Sequence, residues 1–171
     1  GQVLWTDGPT RVQLDGVHLE WVPARLLTGH LQVEHLRLDR VHVTLPPAPA
    51  PPAEPGTLRL PWTARIAALD VGPLQVNDLG VADALQAVLA SDGATHRLEQ
   101  FSARRGPVRA SGTATVATAA PFALSASATL QGRIGDHGAR LDLTATGPLA
   151  AIDGRGTASG DGIQGTVRGR L

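Results

Sequence analysis

The residues here that could bind a metal or move a proton are six His and fifteen Asp or Glu. A zinc or catalytic site needs those side chains on one surface at a spacing that lets them converge. His18, His35 and His42 fall in the gaps between apolar residues, on the expected outer face of strands. No H-x-x-x-H on a helix, no pair of His beside a carboxylate and no Gly-x-Ser-x-Gly elbow is present, so these imidazoles read as solvated surface groups. Asp92, Asp136, Asp153 and Asp161 each adjoin Gly, where Asp forms turns. The tail IDGRGTASGDGIQGTVRG has the Gly/Asp density of calcium-binding β-roll repeats but lacks their GGxGxD core. Cysteine is absent, which excludes thiol catalysis, thiolate metal sites and disulfides. No enzyme activity and no cofactor are expected. A carbohydrate-active enzyme would need an aromatic platform and a carboxylate pair, and three scattered Trp supply neither.

What remains is an aliphatic stripe. In LQVEHLRLDRVHVTL at 31–45, apolar residues at Leu31, Val33, Leu36, Leu38, Val41, Val43 and Leu45 step by twos and threes, with polar or charged residues in every gap. Steps of two keep one strand face apolar, and each step of three inserts a bend or bulge. The β-branched residues Val33, Val41, Val43 and Thr44 favour strand over helix. The same rhythm returns in RIAALDVGPLQVNDL at 65–79, on the far side of the proline-rich PPAPAPPAEP at 46–55, and reads as an internal repeat.

Composition fits a smooth lining better than a jigsaw core. The chain is 42% hydrophobic but 3% aromatic, with no Tyr. Its net charge is zero and no basic run exceeds Arg104-Arg105, so a nucleic-acid partner is not expected. The chain begins at Gly1 and holds no Met, which reads as a processed or excised piece of something longer. No apolar run of about 18 residues, the length that spans a bilayer, occurs in it.

The elements that must position the stripe are strands. Residues 2–22 alternate, with Val12 and Leu14 in one phase and Val17, Leu19 and Trp21 in the other, so Asp15-Gly16 must be a bulge or turn that restores the face. PARLLTG at 23–29 reads as one short helical turn, with Pro at its start and Gly past its end. From residue 84 onward, strands alternate with Ser-Asp-Gly, Arg-Gly-Pro and Asp-His-Gly turns at intervals of roughly ten residues, which is an antiparallel meander. Residues 84–90 suit strand or a short helix. The later strands carry little bulk, as at Ala110, Gly112, Ala114, Val116 and at Ala123, Ser125, Ser127. A sheet so thin cannot reach core density alone, so one face contacts something else or lies open.

The stretch DGVHLEWVPARLLTGHLQVEHLRLDRVHVTLPPAPAPP at 15–52 resembles the N-terminal half of the TamB family, the translocation and assembly module proteins related to AsmA-like bridge proteins. It has an apolar alternation ending in Trp, then W-x-P-x-x-L-L-x-G, then L-x-V-x-x-L-x-L-x-x-V-x-V, then a proline-rich loop. LRLPWTARIAALDVGPLQV at 58–76 continues the likeness. The resemblance implies an elongated periplasmic β-sheet curled into a taco-shaped trough, an inner-membrane anchor outside this segment, and docking at the far end on a TamA-like outer-membrane barrel. It also implies phospholipid transport toward the outer membrane and support of outer-membrane biogenesis. It carries no catalytic residues.

The expected fold is therefore all-β: an elongated, curled, mostly antiparallel open trough. Residues 1–45 form its N-terminal segment, 46–61 a proline-rich linker and 62–171 a continuing meander. The expected lining is Val12, Leu14, Val17, Leu19, Trp21, Leu36, Leu38, Val41, Val43, Ile66, Leu69, Val71, Leu74 and Val76. Exposing two acyl chains to water costs on the order of 20 kcal/mol at about 0.8 kcal/mol per CH₂, and a continuous aliphatic groove removes that cost. At about 4.8 Å per strand, roughly ten strands make a trough on the order of 45 Å long, one segment of a bridge. A charge at Leu38 is expected to block lipid, and Arg37→Glu on the outer face is not. The alternative is a structural β-solenoid or sandwich module of a surface adhesin or passenger protein, with a filled aliphatic core.

Overall fold

The computed structural model describes residues 1–7, 10–46, 63–134, 137–161 and 163–170. Fifteen strands and one 3-10 turn make up nearly all of it: β1 (Gln2–Asp7), β2 (Thr10–Asp15), β3 (His18–Trp21), the turn Pro23–Thr28, β4 (His30–Leu38), β5 (Arg40–Thr44), β6 (Thr63–Val71), β7 (Leu74–Val76), β8 (Leu79–Ala82), β9 (Ala84–Ser91), β10 (Thr95–Arg105), β11 (Val108–Ala117), β12 (Ala123–Ile134), β13 (His137–Pro148), β14 (Asp153–Gly160) and β15 (Ile163–Arg170). The fold is all-β. Residues 84–90 are strand, and the 23–29 stretch is the short turn its Pro and Gly predict, with Gly29 capping it at φ +75°. The proline-rich linker lies outside the described residues, apart from Pro46.

Ten strands form one sheet in the order β15-β14-β13-β12-β11-β10-β9-β6-β4-β3, and five form a second in the order β1-β2-β5-β7-β8. Every pairing is antiparallel except β4 with β6 and β5 with β7. Those two parallel pairs are the internal repeat laid side by side. Val33 lies beside Ile66, Leu36 beside Leu69, Leu38 beside Val71, Val41 beside Leu74 and Val43 beside Val76, each residue next to the one 33 positions later. Identical rhythms in parallel register put like positions on like faces, which is why the second copy needs the same phase shifts as the first.

The two sheets are one sheet with a crease. Strands β2, β4, β6 and β8 leave one sheet and continue as β3, β5, β7 and β9 in the other, breaking at Asp15-Gly16, Asp39, Gly72-Pro73 and Asp83. These are turn-forming residues, and they line up. Backbone bonds stitch across the line: Asp39 N–H donates to Asp15 O (2.9 Å), Gly72 N–H to Leu38 O (2.9 Å) and Val41 N–H to Pro73 O (3.0 Å). Every three-residue step at this line (Leu14 to Val17, Leu38 to Val41, Val71 to Leu74, Ala82 to Leu85) turns the strand a corner while keeping the same face apolar. Two further steps of three, Val33 to Leu36 and Ile66 to Leu69, mark a second line, where register shifts fall at Glu20/Trp21, Ile66/Leu69 and Leu98/Gln100.

Leu38, Val41 and Val71 are buried in the crook, and Leu14, Val43 and Leu74 from one wing and Leu36, Leu69 and Leu85 from the other pack against them. The apolar face is therefore the inside of the bend. Away from the crook the sheet carries no second layer among the described residues, and its two terminal strands, β3 and β15, are not joined into a barrel. A separate small anchor holds the β9–β10 turn: Thr118, 1% exposed, donates its hydroxyl to Gly93 O (2.9 Å) and Ala94 O (3.1 Å).

Candidate functional site

Strand register sorts the ten-stranded sheet into two chemically different faces. One cross-strand row runs Leu19, Leu36, Leu69, Ala87, Phe101, Gly112, Ala128, Leu143, Gly156, Val167. The row beside it runs Leu38, Val71, Leu85, Ala103, Ala110, Leu130, Leu141, Ala158. Between them, on the opposite face, runs Arg37, Asp70, Gln86, Ser102, Ser111, Thr129, Asp142, Thr157, Thr166. Alternation is thus kept across all ten strands.

All fourteen residues expected to line a groove share the apolar face. Val12, Val43 and Val76 form one row of the five-stranded wing between Trp5 and Leu79, and Leu14, Val41 and Leu74 form the next. Val17, Leu38 and Val71 sit at the crease. Leu36 and Leu69 follow beside Leu19, and Ile66 lies in the row that ends at Trp21. They do not share one environment, however. Leu38, Val41 and Val71 are 8–9% exposed and close on one another, so the crook is a filled core, and a ligand there would have to displace it. Leu38→Arg consequently tests folding rather than occupancy.

The open part of the face lies farther along, on strands whose small residues concealed it. Two hollows indent it. One of about 360 Å³ is lined by Ile66, Leu89, Leu98, Ala114, Val116 and Leu124 with Ser91 and His96; the other, about 640 Å³, by Ala126, Ala128, Leu141, Leu143, Ala145 and Val167 among others. Leu98, Phe101, Leu130 and Leu141 are half-buried, Leu143 is exposed and Val167 is 73% exposed. The signal that finds them is the period-2 pattern itself: Ala110, Gly112, Ala114 and Val116 point inward, whereas Ala123, Ser125 and Ser127 point outward. Glycine deepens the relief, since a Cβ at Gly156 would lie 3.0 Å from a Leu143 methyl and 3.6 Å from one of Leu141.

Polar groups on the inner face are few and satisfied. Ser91 Oγ lies 2.9 Å from His96 Nδ1 and accepts the Gly93 N–H at 3.4 Å. Ser91 is 9% exposed and stands in the wall of the first hollow. Among the described residues no buried side-chain nitrogen or oxygen lacks a partner, and no cluster of three His, Asp or Glu could hold a metal.

The outer face is where charge pairs. His35 Nε2 lies 2.6 Å from Asp70 Oδ2, so His35 is hydrogen-bonded to a carboxylate rather than merely solvated, and Gln86 Nε2 donates to Asp70 Oδ1 (2.8 Å). The Gln86 bond first, then the His35 bond, hold the Asp70 carboxyl below its ordinary range. Arg140 grips Asp142 with Nε and Nη2 at 2.7 Å each, and Thr129 donates at 2.6 Å. The Arg140 bond and then the Thr129 bond bring the Asp142 carboxyl down to about 2. A hollow of about 620 Å³ on this side is lined by Asp70, Gln86, Arg104, Arg109, Thr129 and Gln131 among others. Curvature alone therefore does not distinguish the faces; chemistry does.

No helix among the described residues is long and apolar enough to cross a membrane. No family model, curated protein or solved structure matches the chain.

Proposed function

We propose that this chain is a segment of a lipid conduit, in which the open apolar face of the ten-stranded sheet holds phospholipid acyl chains while headgroups stay in water. The observation that carries the reading is the continuous apolar row from Leu19 to Val167, with no covering layer among the described residues, backed by a polar face of Ser, Thr and paired ions. Each CH₂ taken from water onto such a surface contributes about 0.8 kcal/mol, so two acyl chains lying along it have a strong reason to stay. An aliphatic floor without shaped polar contacts accepts lipids of varied headgroup. The TamB-like stretch at 15–52 supports setting this conduit in the periplasm, between an inner-membrane anchor and an outer-membrane barrel partner.

A structural solenoid module is the competing reading. What favours it is the filled crook and the parallel stacking of the two copies, which is how a solenoid propagates. One experiment separates the two. Native mass spectrometry with organic extraction is run on wild type, on Leu143→Arg, which puts a charge on the open floor, and on Thr144→Arg, its outward-facing neighbour. Phospholipid on wild type and Thr144→Arg, lost from Leu143→Arg, is the expected result. A folded wild type that carries no lipid and binds no hydrophobic dye would overturn the conduit.

A further inference from the structure

The turn Pro23–Thr28 buries none of its residues. Leu27 is 90% exposed and Leu26 38%, and Trp21, two residues before the turn, is 39% exposed. This is not slack chain. Arg25 N–H donates to Val22 O (3.1 Å), Gly29 N–H to Leu26 O (3.0 Å), the Thr28 hydroxyl to Arg25 O (2.9 Å), Val22 N–H to Gln32 O (2.9 Å) and Thr63 N–H to Gly29 O (3.1 Å). The turn is thus pinned to β4 and β6, with Gly29 in the left-handed conformation that closes it. A pinned turn that holds a leucine out in water gains nothing from that leucine within the fold, since any polar residue would serve there.

Charge narrows the occupant. From Val22 to His30 there is no carboxylate, and Arg25 has no carboxylate partner among the described residues. Two aliphatic side chains, an indole two residues before the turn and one guanidinium without a carboxylate partner among the described residues match the layered chemistry of a bilayer surface: acyl region, interface, phosphate. Position adds a second argument. The turn joins β3, the terminal strand of the ten-stranded sheet, to β4, so it stands at a corner of the open trough. The row nearest it, Leu31, Ala64, Ser91, His96, Val116, Leu124, leads into the first apolar hollow.

We infer that Pro23–Thr28 is a membrane-contacting tip, which inserts Leu26 and Leu27 into a phospholipid bilayer with Arg25 at the phosphates and Trp21 at the interface. It deepens the conduit reading by giving the trough an entrance, and rests on that reading only for the entrance role.

The test is flotation of the purified chain with vesicles of phosphatidylethanolamine and phosphatidylglycerol, and separately with phosphatidylcholine vesicles. Wild type is expected to float with both. Leu27→Ser is expected to lower the partition about tenfold, the effect of one leucine left in water, and Leu26→Ser/Leu27→Ser to abolish it. Arg25→Gln is expected to weaken binding only to the phosphatidylglycerol vesicles. All these side chains are exposed, so circular dichroism should stay at wild type. A wild type that floats with neither vesicle, or a double variant that floats like wild type, would overturn the tip. Tip-dependent flotation of a chain that carries no lipid and binds no hydrophobic dye would sink the trough and leave the tip standing; copurified lipid with flotation indifferent to the tip would do the reverse.

Discussion

Replacing Gly72 by Ala puts a methyl group into the crease. A Cβ there would lie 2.2 Å from the Asp39 carbonyl oxygen and 3.1 Å from its carbon. An ordinary carbon–oxygen contact needs about 1 Å more than the shorter of these, and neither atom is the free end of a side chain. The two backbones must part where Gly72 N–H donates to Leu38 O at 2.9 Å, beside buried Leu38 and Val71. Overpacking of this kind costs about 1–3 kcal/mol, and weakening the bond adds about 1 kcal/mol, for a total near 2–4 kcal/mol. In a chain of this size that corresponds to a fall of roughly 5–15 °C in Tm. The assay is urea and thermal denaturation followed by circular dichroism, with Gly80→Ala as the control, because a Cβ at Gly80 meets nothing within 4 Å. A Gly72→Ala protein within about 0.5 kcal/mol of wild type would refute the crease as a tightly stitched line.

Thr118→Val keeps the shape but leaves the Gly93 and Ala94 carbonyls without their hydroxyl donor. It is expected to cost about 1–3 kcal/mol by urea midpoint. Asp142 titrates below its unfolded value, so its contribution is present above pH about 4 and is lost as pH falls through about 2. Asp142→Asn should therefore lower the urea midpoint at neutral pH, and the gap from wild type should close across that acid window.

The N-terminal strands were legible because their steps of two and three record the geometry directly. Asp15-Gly16, Asp39 and Gly72-Pro73 are turn formers placed where the apolar phase shifts, and the copy at 65–79 repeats the offsets of 31–45. What could not be read was that these breaks align, since alignment depends on register between strands as distant as β2 and β5. The same limit hid the division of the fourteen lining residues into a filled crook and an open floor: Leu38 and Ile66 sit in the same apolar rhythm, yet one is closed into the crook and the other lines a hollow. Beyond residue 84, Ala, Gly and Ser gave the strands but masked the floor, because Leu98, Leu130 and Leu141 belong to different strands and come to share one face only through the meander. The Ser91–His96 and His35–Asp70 pairs join residues on different strands or across a turn, and no spacing rule announces them.

Because strands stack one after another along the ten-stranded sheet, its hydrogen bonds point along the sheet's long axis and form seams connected in series. A pull along that axis loads every seam with the whole force, so the assembly is only as strong as its weakest join. At the creased end the seams are doubled: β3 with β4 is backed by β2 with β5, and β4 with β6 by β5 with β7. From β10 to β15 each seam stands alone and relies on length, from eight paired residues to twelve. The crease therefore reinforces, as a fold stiffens a sheet of paper, the end where β3 offers only four paired residues to its neighbour.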